Sequence, residues 1–255
     1  MIRLGVCSGA CLTRDISGVI AAASAARLDA VEWAADAHIG VGDLEAAESA
    51  MMSTLRAGLT TVSYATLYRT GSEDDGFRRF DALLAIASRL QAPMMRVFAC
   101  AGRRDGRAEA GLLRLGDRAA KKGIMLCISM ARGTSLGGYG QIAALAEAAR
   151  HDFIRLAWED LPGSKPAEAT AALLSAGSFA GLVLARCAGR DGRPRAVAED
   201  EGAWKERLLA FRRAEQDPKM GSFVLLCASR PEGAAGEESL AADARTLRSL
   251  VAEIG

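Results

Sequence analysis

The chain has 255 residues, half of them hydrophobic and a quarter charged, with a formal net charge of +1. That supports a sizeable core and a charged surface, and it excludes a global electrostatic pull toward nucleic acid or anionic membrane. No apolar run approaches the roughly 18 residues of a membrane span, and the six scattered cysteines form no disulfide framework, so reduced thiols in a cytoplasmic protein are the expectation.

Short apolar runs alternate with Ala/Leu-rich amphipathic stretches along the whole chain. The N-terminal run from Ile2 to Ser8 reads as a first strand rather than a signal peptide, followed by a helix from about Asp15 to Arg27. A strand at Ala30 to Ala35 precedes a helix from Asp43 to Ala57. A third at Thr60 to Thr66 precedes one from Glu73 to Leu90, and a fourth at Met94 to Cys100 precedes one from Ala108 to Lys122. The second half continues with strands at Ile124 to Met130, Phe153 to Glu159, Phe179 to Cys187 and Ser222 to Arg230. Their helices are expected at Gly138 to Arg150, Lys165 to Ala176, Glu201 to Arg213 and Glu238 to Glu253. Gly58, Gly123 and Gly177 stand just before strands, where a helix C-terminus favours glycine.

Near-continuous apolar strands imply burial on both faces, and helical crossovers imply parallel pairing. Eight such units in 255 residues favour a closed (β/α)8 TIM barrel, class α/β, as one domain over 1–255. Active sites of such barrels lie at the C-terminal ends of the strands.

The segments "LDAVEWAAD", "TTVSYATLYRTG", "QAPMMRVFACAGR", "AAKKGIMLCISMARGTS" and "ADARTLRSLV" resemble the sugar phosphate isomerase/epimerase family, the xylose-isomerase-like barrels, from Ile2 to about Val251. The resemblance implies a divalent metal held by carboxylates and a histidine from the later strands, beside a small sugar. Here those positions read differently. The fifth-strand Glu falls on Ser129 and the histidine two residues later on Ala131; the sixth-strand ligand register falls on Trp158, beside Glu159 and Asp160. Arg186 stands where the seventh strand often has histidine, and Cys227 where the eighth has Glu. A fixed arginine charge opposes a nearby cation, so no cofactor is expected and a divalent metal is disfavoured.

The expected site is therefore assembled from other groups. Glu32, at the end of the second strand, reads either as a proton-moving carboxylate at the mouth or as a salt-bridge partner of Arg96 inside the barrel. His38, one of two histidines, is the accompanying acid/base candidate, against an ordinary loop histidine. Tyr64, Tyr68 and Arg69 would wall a polar ligand or merely lid the core. Arg132, Arg186 and Arg230 at strand ends would hold an anion through guanidinium forks, whereas Arg103, Arg104, Arg107, Arg190 and Arg193 read as solvated loop arginines. Cys7, Cys100, Cys187 and Cys227 all sit near strand ends, but without a Cys-x-x-Cys pair core packing is the simpler reading than zinc.

Two functions are compatible with these residues. One is a sugar or sugar-phosphate isomerase or epimerase without the usual metal; the other is a degenerate barrel that binds a metabolite or protein partner without turnover. The ligand expected is a small sugar or sugar acid, with no membrane partner. Nucleic-acid repair chemistry is disfavoured because it relies on the missing metal ligands. A homodimer is the family-level expectation.

Overall fold

Parallel strands need a crossover to return the chain to the same end of the sheet, and each amphipathic helix here supplies one. The computed structural model describes residues 1–11, 14–70, 77–98, 106–129, 139, 141, 151–161, 164–186, 195–214, 221–227 and 234–255. The strands are β1 (Ile2–Cys7), β2 (Ala30–Ala34), β3 (Thr60–Arg69), β4 (Met94–Phe98), β5 (Met125–Ser129), β6 (Ile154–Glu159), β7 (Ala180–Ala185) and β8 (Ser222–Leu226). The helices are α1 (Ile16–Ala25), α2 (Leu44–Arg56), α3 (Arg78–Arg89), α4 (Gly106–Ala120), α5 (Pro166–Ala176), α6 (Glu201–Arg213) and α7 (Ala234–Ile254). The strands pair in sequence order, all parallel, and β1 pairs with β8 to close the barrel. The expected helix between the fifth and sixth strands lies almost wholly outside the described residues.

Local chemistry explains the boundaries. Asp15 and Asp43 cap α1 and α2 by accepting from the backbone N–H of Gly18 at 2.7 Å and Ala46 at 2.9 Å. Pro166 opens α5, where a missing N–H costs nothing. Gly58, Gly123 and Gly177 take positive φ after their helices, as their placement predicts. The third strand runs to Arg69, beyond the expected Thr66, and α3 starts only at Arg78.

Side chains alternate across each strand, so the barrel has two cores. Outward-facing Val6, Trp33, Tyr64, Val97, Ile128, Leu156, Trp158 and Val224 pack against the helices. Inward-facing Ala30, Val62, Met94, Cys127, Ala157, Leu182, Phe223 and Leu225 plug the lumen below the mouth. The lumen is tight: a Cβ on Gly5 would come within 2.8 Å of the Ala30 carbonyl oxygen and 2.7 Å of Leu225 Cδ2. The register between β2 and β3 passes from Val31↔Thr61 to Glu32↔Ser63, skipping Val62. This bulge keeps Val62 in the plug and lets the next residue, Ser63, also reach the lumen. Among the described residues no helix is long and apolar enough to cross a membrane.

Candidate active site

Polar side chains gather at the C-terminal face of the plug: Cys7, Glu32, Ser63, Arg96, Ser129 and Glu159 from β1 to β6, and Arg186 and Cys227 just after β7 and β8. Glu32 on β2 is fully buried, and its partner Arg96 on β4 is nearly so. Arg96 Nε donates to Glu32 Oε1 at 3.0 Å and Arg96 Nη2 donates to Glu32 Oε2 at 2.9 Å, a bidentate fork. Ser63 Oγ donates to Oε1 as well. Burial alone would raise the Glu32 carboxyl, but the Arg96 charge and these bonds together hold it below its ordinary value. The same pairing keeps Arg96 firmly protonated against its own burial.

Ser129, at the end of β5, continues the chain of contacts. Its Oγ accepts from Arg96 Nη1 and donates to Glu159 Oε1, each at 3.4 Å. Glu159, at the end of β6, then pairs through Oε2 with Arg186 Nε. The result is a relay from Glu32 through Arg96, Ser129 and Glu159 to Arg186, with charges alternating in sign and cancelling. The two carboxyls differ in kind. Burial pushes Glu159 above its ordinary value, only partly offset by Arg186 and Arg96, whereas Glu32 is pushed down. Environments that drive two carboxyls apart in this way suit them to different roles.

Above this relay lies a cavity of about 260 Å³, lined by Cys7, Asp36, Thr66, Arg96, Phe98, Arg186 and Cys227 with small neighbours. Arg186 is 44% exposed at its side chain while Glu159 beneath it is 6% exposed. The guanidinium thus covers the carboxylate from the cavity side. Arg69 sits at the rim, its guanidinium 5.8 Å from the Phe98 ring.

Several expected mouth residues face elsewhere. Trp158 points outward into the helix layer, because Glu159 takes the inward register of β6; its Nε1 finds no partner among the described residues. Tyr64 is buried on the outer face and donates its hydroxyl to the Ile39 carbonyl at 2.7 Å; burial raises its phenol. Tyr68 packs outward against Phe80 at 5.2 Å between ring centroids. Both tyrosines lie on β3 with their side chains turned into the outer core. His38 lies outside the mouth, its Nε2 2.8 Å from the Arg14 carbonyl oxygen and its ring edge-on to Trp33. Arg132 and Arg230 lie outside the described residues, as do Cys100, Cys187 and the side chains of Arg103, Arg104, Arg107, Arg190 and Arg193.

Sequence reasoning missed Ser63, whose reach to Glu32 depends on the bulge, and the outward pair formed by Asp160 and Arg207 of α6. Arg207 Nη1 lies 3.1 Å from Asp160 Oδ2, with Arg207 only 3% exposed at its side chain. Burial pushes Asp160 up to about 6 despite this neighbour. An arginine inside an otherwise amphipathic helix gave no signal of its partner.

A divalent metal at the strand ends, as the resemblance implies, meets one hydroxyl, one carboxylate, one guanidinium and one thiol: Ser129, Glu159, Arg186 and Cys227. Hard cations take oxygen ligands, and the single carboxylate is already engaged by Arg186. Cys7, Glu32 and Cys227 also place donor atoms within 4.8 Å of one another. There the Arg96 fork occupies both Glu32 oxygens and brings a fixed positive charge. Neither donor set fits the implied cation.

No protein-family profile matches the chain, and no curated protein sequence does. Solved structures match it over nearly its full length. A xylose isomerase domain protein from Planctomyces limnophilus aligns with a TM-score of 0.76 and 13% identity, covering 99% of this chain and 98% of that one. The 3-keto-D-glucoside 4-epimerase YcjR of E. coli gives a TM-score of 0.74 and 13% identity over 98% and 100% of the two chains. The IOLI protein, solved with a zinc atom, gives 0.75 and 11% identity over 99% of each. At these identities the likeness defines architecture. By fold, this chain is a xylose-isomerase-like TIM barrel.

Proposed function

We propose that this protein is an isomerase or epimerase-like enzyme that binds a small anionic carbohydrate, such as a sugar acid or sugar phosphate, at the barrel mouth and moves a proton without a divalent metal. The observation that carries this reading is the Arg186–Glu159 pair, with Arg186 lining the cavity and Glu159 buried beneath it. An anionic group on the ligand competes with Glu159 for the Arg186 guanidinium and draws it into the cavity. Glu159 Oε1, whose one partner among the described residues is Ser129 through a long bond, then faces the ligand. As a carboxylate it removes a proton from the carbon next to the ligand carbonyl. Arg186 stabilises the enediolate oxygen, and the carboxyl returns the proton to the same or the adjacent carbon. Burial raises the Glu159 carboxyl toward the pH at which such exchange is efficient. Glu32, the base expected from the sequence, is instead committed to Arg96 and organises the relay. The reading places the protein in the cytoplasm, in keeping with its scattered thiols.

The test is deuterium exchange from solvent into a panel of keto sugars, sugar acids and their phosphates, read by NMR. Exchange is expected for one class of ligand and is expected to vanish in Glu159→Gln with folding intact. The rival reading, a barrel that binds without turnover, draws on the covered position of Glu159. Saturable thermal stabilisation by a ligand that never exchanges would establish it instead.

A further inference from the structure

The two thiols at the mouth take no part in the reaction proposed above. Cys7 ends β1 and Cys227 follows β8, strands from opposite ends of the chain that meet to close the barrel. The register Val6↔Leu226, carried one residue further, sets Cys7 opposite Cys227. Their sulfur atoms lie within 4.8 Å of each other. Adjacent strands run about 4.7–4.9 Å apart, inside the roughly 4.4–6.8 Å that a disulfide spans between Cα atoms. Both side chains line the mouth cavity; Cys227 is partly exposed and Cys7 is buried behind it.

The other described cysteines lack this arrangement. Cys127 is sealed in the lumen plug, its thiol 3.6 Å from Met94 Sδ and pushed up to about 12 by burial. Cys11 is buried in the outer core.

We propose that Cys7 and Cys227 are a redox-modifiable dithiol, closed to a reversible disulfide across the β1–β8 seam by a low-molecular-weight disulfide that enters the mouth. The more accessible Cys227 attacks first as its thiolate. It forms a mixed disulfide with one half of the reagent and releases the other half as a thiolate. Cys7 then displaces the bound half, so that two protein thiols become one disulfide while the small disulfide is reduced to two thiols. The neighbouring Cys227 and burial push the Cys7 thiol up, which casts it as the resolving thiol, and Arg96 Nη2 lies 3.8 Å from its sulfur to support the thiolate when it forms. Closure withdraws the Cys7 thiol from the Glu32–Arg96 pair and ties together the two ends of the barrel.

The experiment treats the intact protein with oxidised glutathione and follows it by intact mass and non-reducing peptide mapping. The expected product has lost two hydrogens and joins the Cys7 and Cys227 peptides. Its thermal midpoint rises by about 5–10 °C, and dithiothreitol reverses both changes. Cys7→Ser should stop at the glutathione adduct on Cys227, and Cys227→Ser should abolish the reaction. Cross-links through any other cysteine, or no mass loss under oxidant that converts a small reference dithiol, would overturn the proposal. Stoichiometric zinc that shields both thiols until a chelator removes it would overturn it too. Should a serine variant fail to fold, the wild-type peptide map decides alone.

Discussion

Replacing Arg96 with methionine separates a structural Glu32 from a catalytic one. In the wild type both Glu32 oxygens accept from the Arg96 fork, and the carboxylate is fully buried. Methionine keeps an apolar stem but leaves a buried negative charge with, among the described residues, the Ser63 hydroxyl and Cys7 thiol as its remaining donors. Breaking a buried pair from one side costs about 3–5 kcal/mol. For a domain of this size that is a fall of roughly 6–20 °C in thermal midpoint. Glu32→Gln/Arg96→Met, which removes both charges, should recover most of the loss and give a coupling energy of at least about 2 kcal/mol.

The pH dependence sharpens the same test. Wild-type Glu32 has a folded pKa below its ordinary value of 4.5, so its contribution is present above that pH and lost as pH falls through the folded pKa. In Arg96→Met the sign reverses: burial without the arginine raises the folded pKa, so acidification protonates Glu32 and stabilises the variant relative to wild type. Urea denaturation followed by circular dichroism between about pH 4.5 and 8 reads both curves. A loss below about 1 kcal/mol at pH 7, or a loss that does not shrink toward acid pH, would refute the assignment of Glu32 to the fold.

Three further outcomes follow from the geometry. Removing Arg186 as Arg186→Gln takes away a charge that lowers Glu159, so the rising limb of any exchange rate against pH should move to higher pH, measured by NMR exchange. Asp160 has its folded pKa raised to about 6 from 3.8, so its ionisation opposes folding: stability falls as pH rises between those values and is level above them. Relative to Asp160→Asn, the wild type should gain at most about 3 kcal/mol between neutral pH and pH 4, by denaturant titration. Gly5→Ala must push its Cβ against the Ala30 carbonyl and Leu225, and should cost about 1–3 kcal/mol in the same assay with no specific effect on exchange per folded molecule.

Most of the architecture was legible because the signals for it are local. Apolar runs such as "IMLCISM" and amphipathic stretches between them are properties of ten or so consecutive residues, and eight repeats leave a closed barrel as the economical packing. The glycines before strands were readable for the same reason. The pairing of Glu32 with Arg96 was also open to inference, since two charges on apolar strands need each other wherever they meet.

The site was less legible, because which face of a strand a residue occupies depends on register, and a slip of one residue exchanges the faces. On β6 that single step separates Trp158, packed outward beneath the helices, from Glu159, inside the mouth. On β3 the bulge at Val62 brings Ser63 to Glu32, and Tyr64 and Tyr68 turn outward into the helix layer. Ser129 illustrates both halves. Its sequence showed that a carboxylate was absent from the end of the fifth strand. Only the closed barrel, which brings β2, β4 and β6 around one axis, made that serine the bridge between Arg96 and Glu159. Residues far apart in the chain are joined there by the barrel's closure, and short-range sequence patterns carry no record of distances across it.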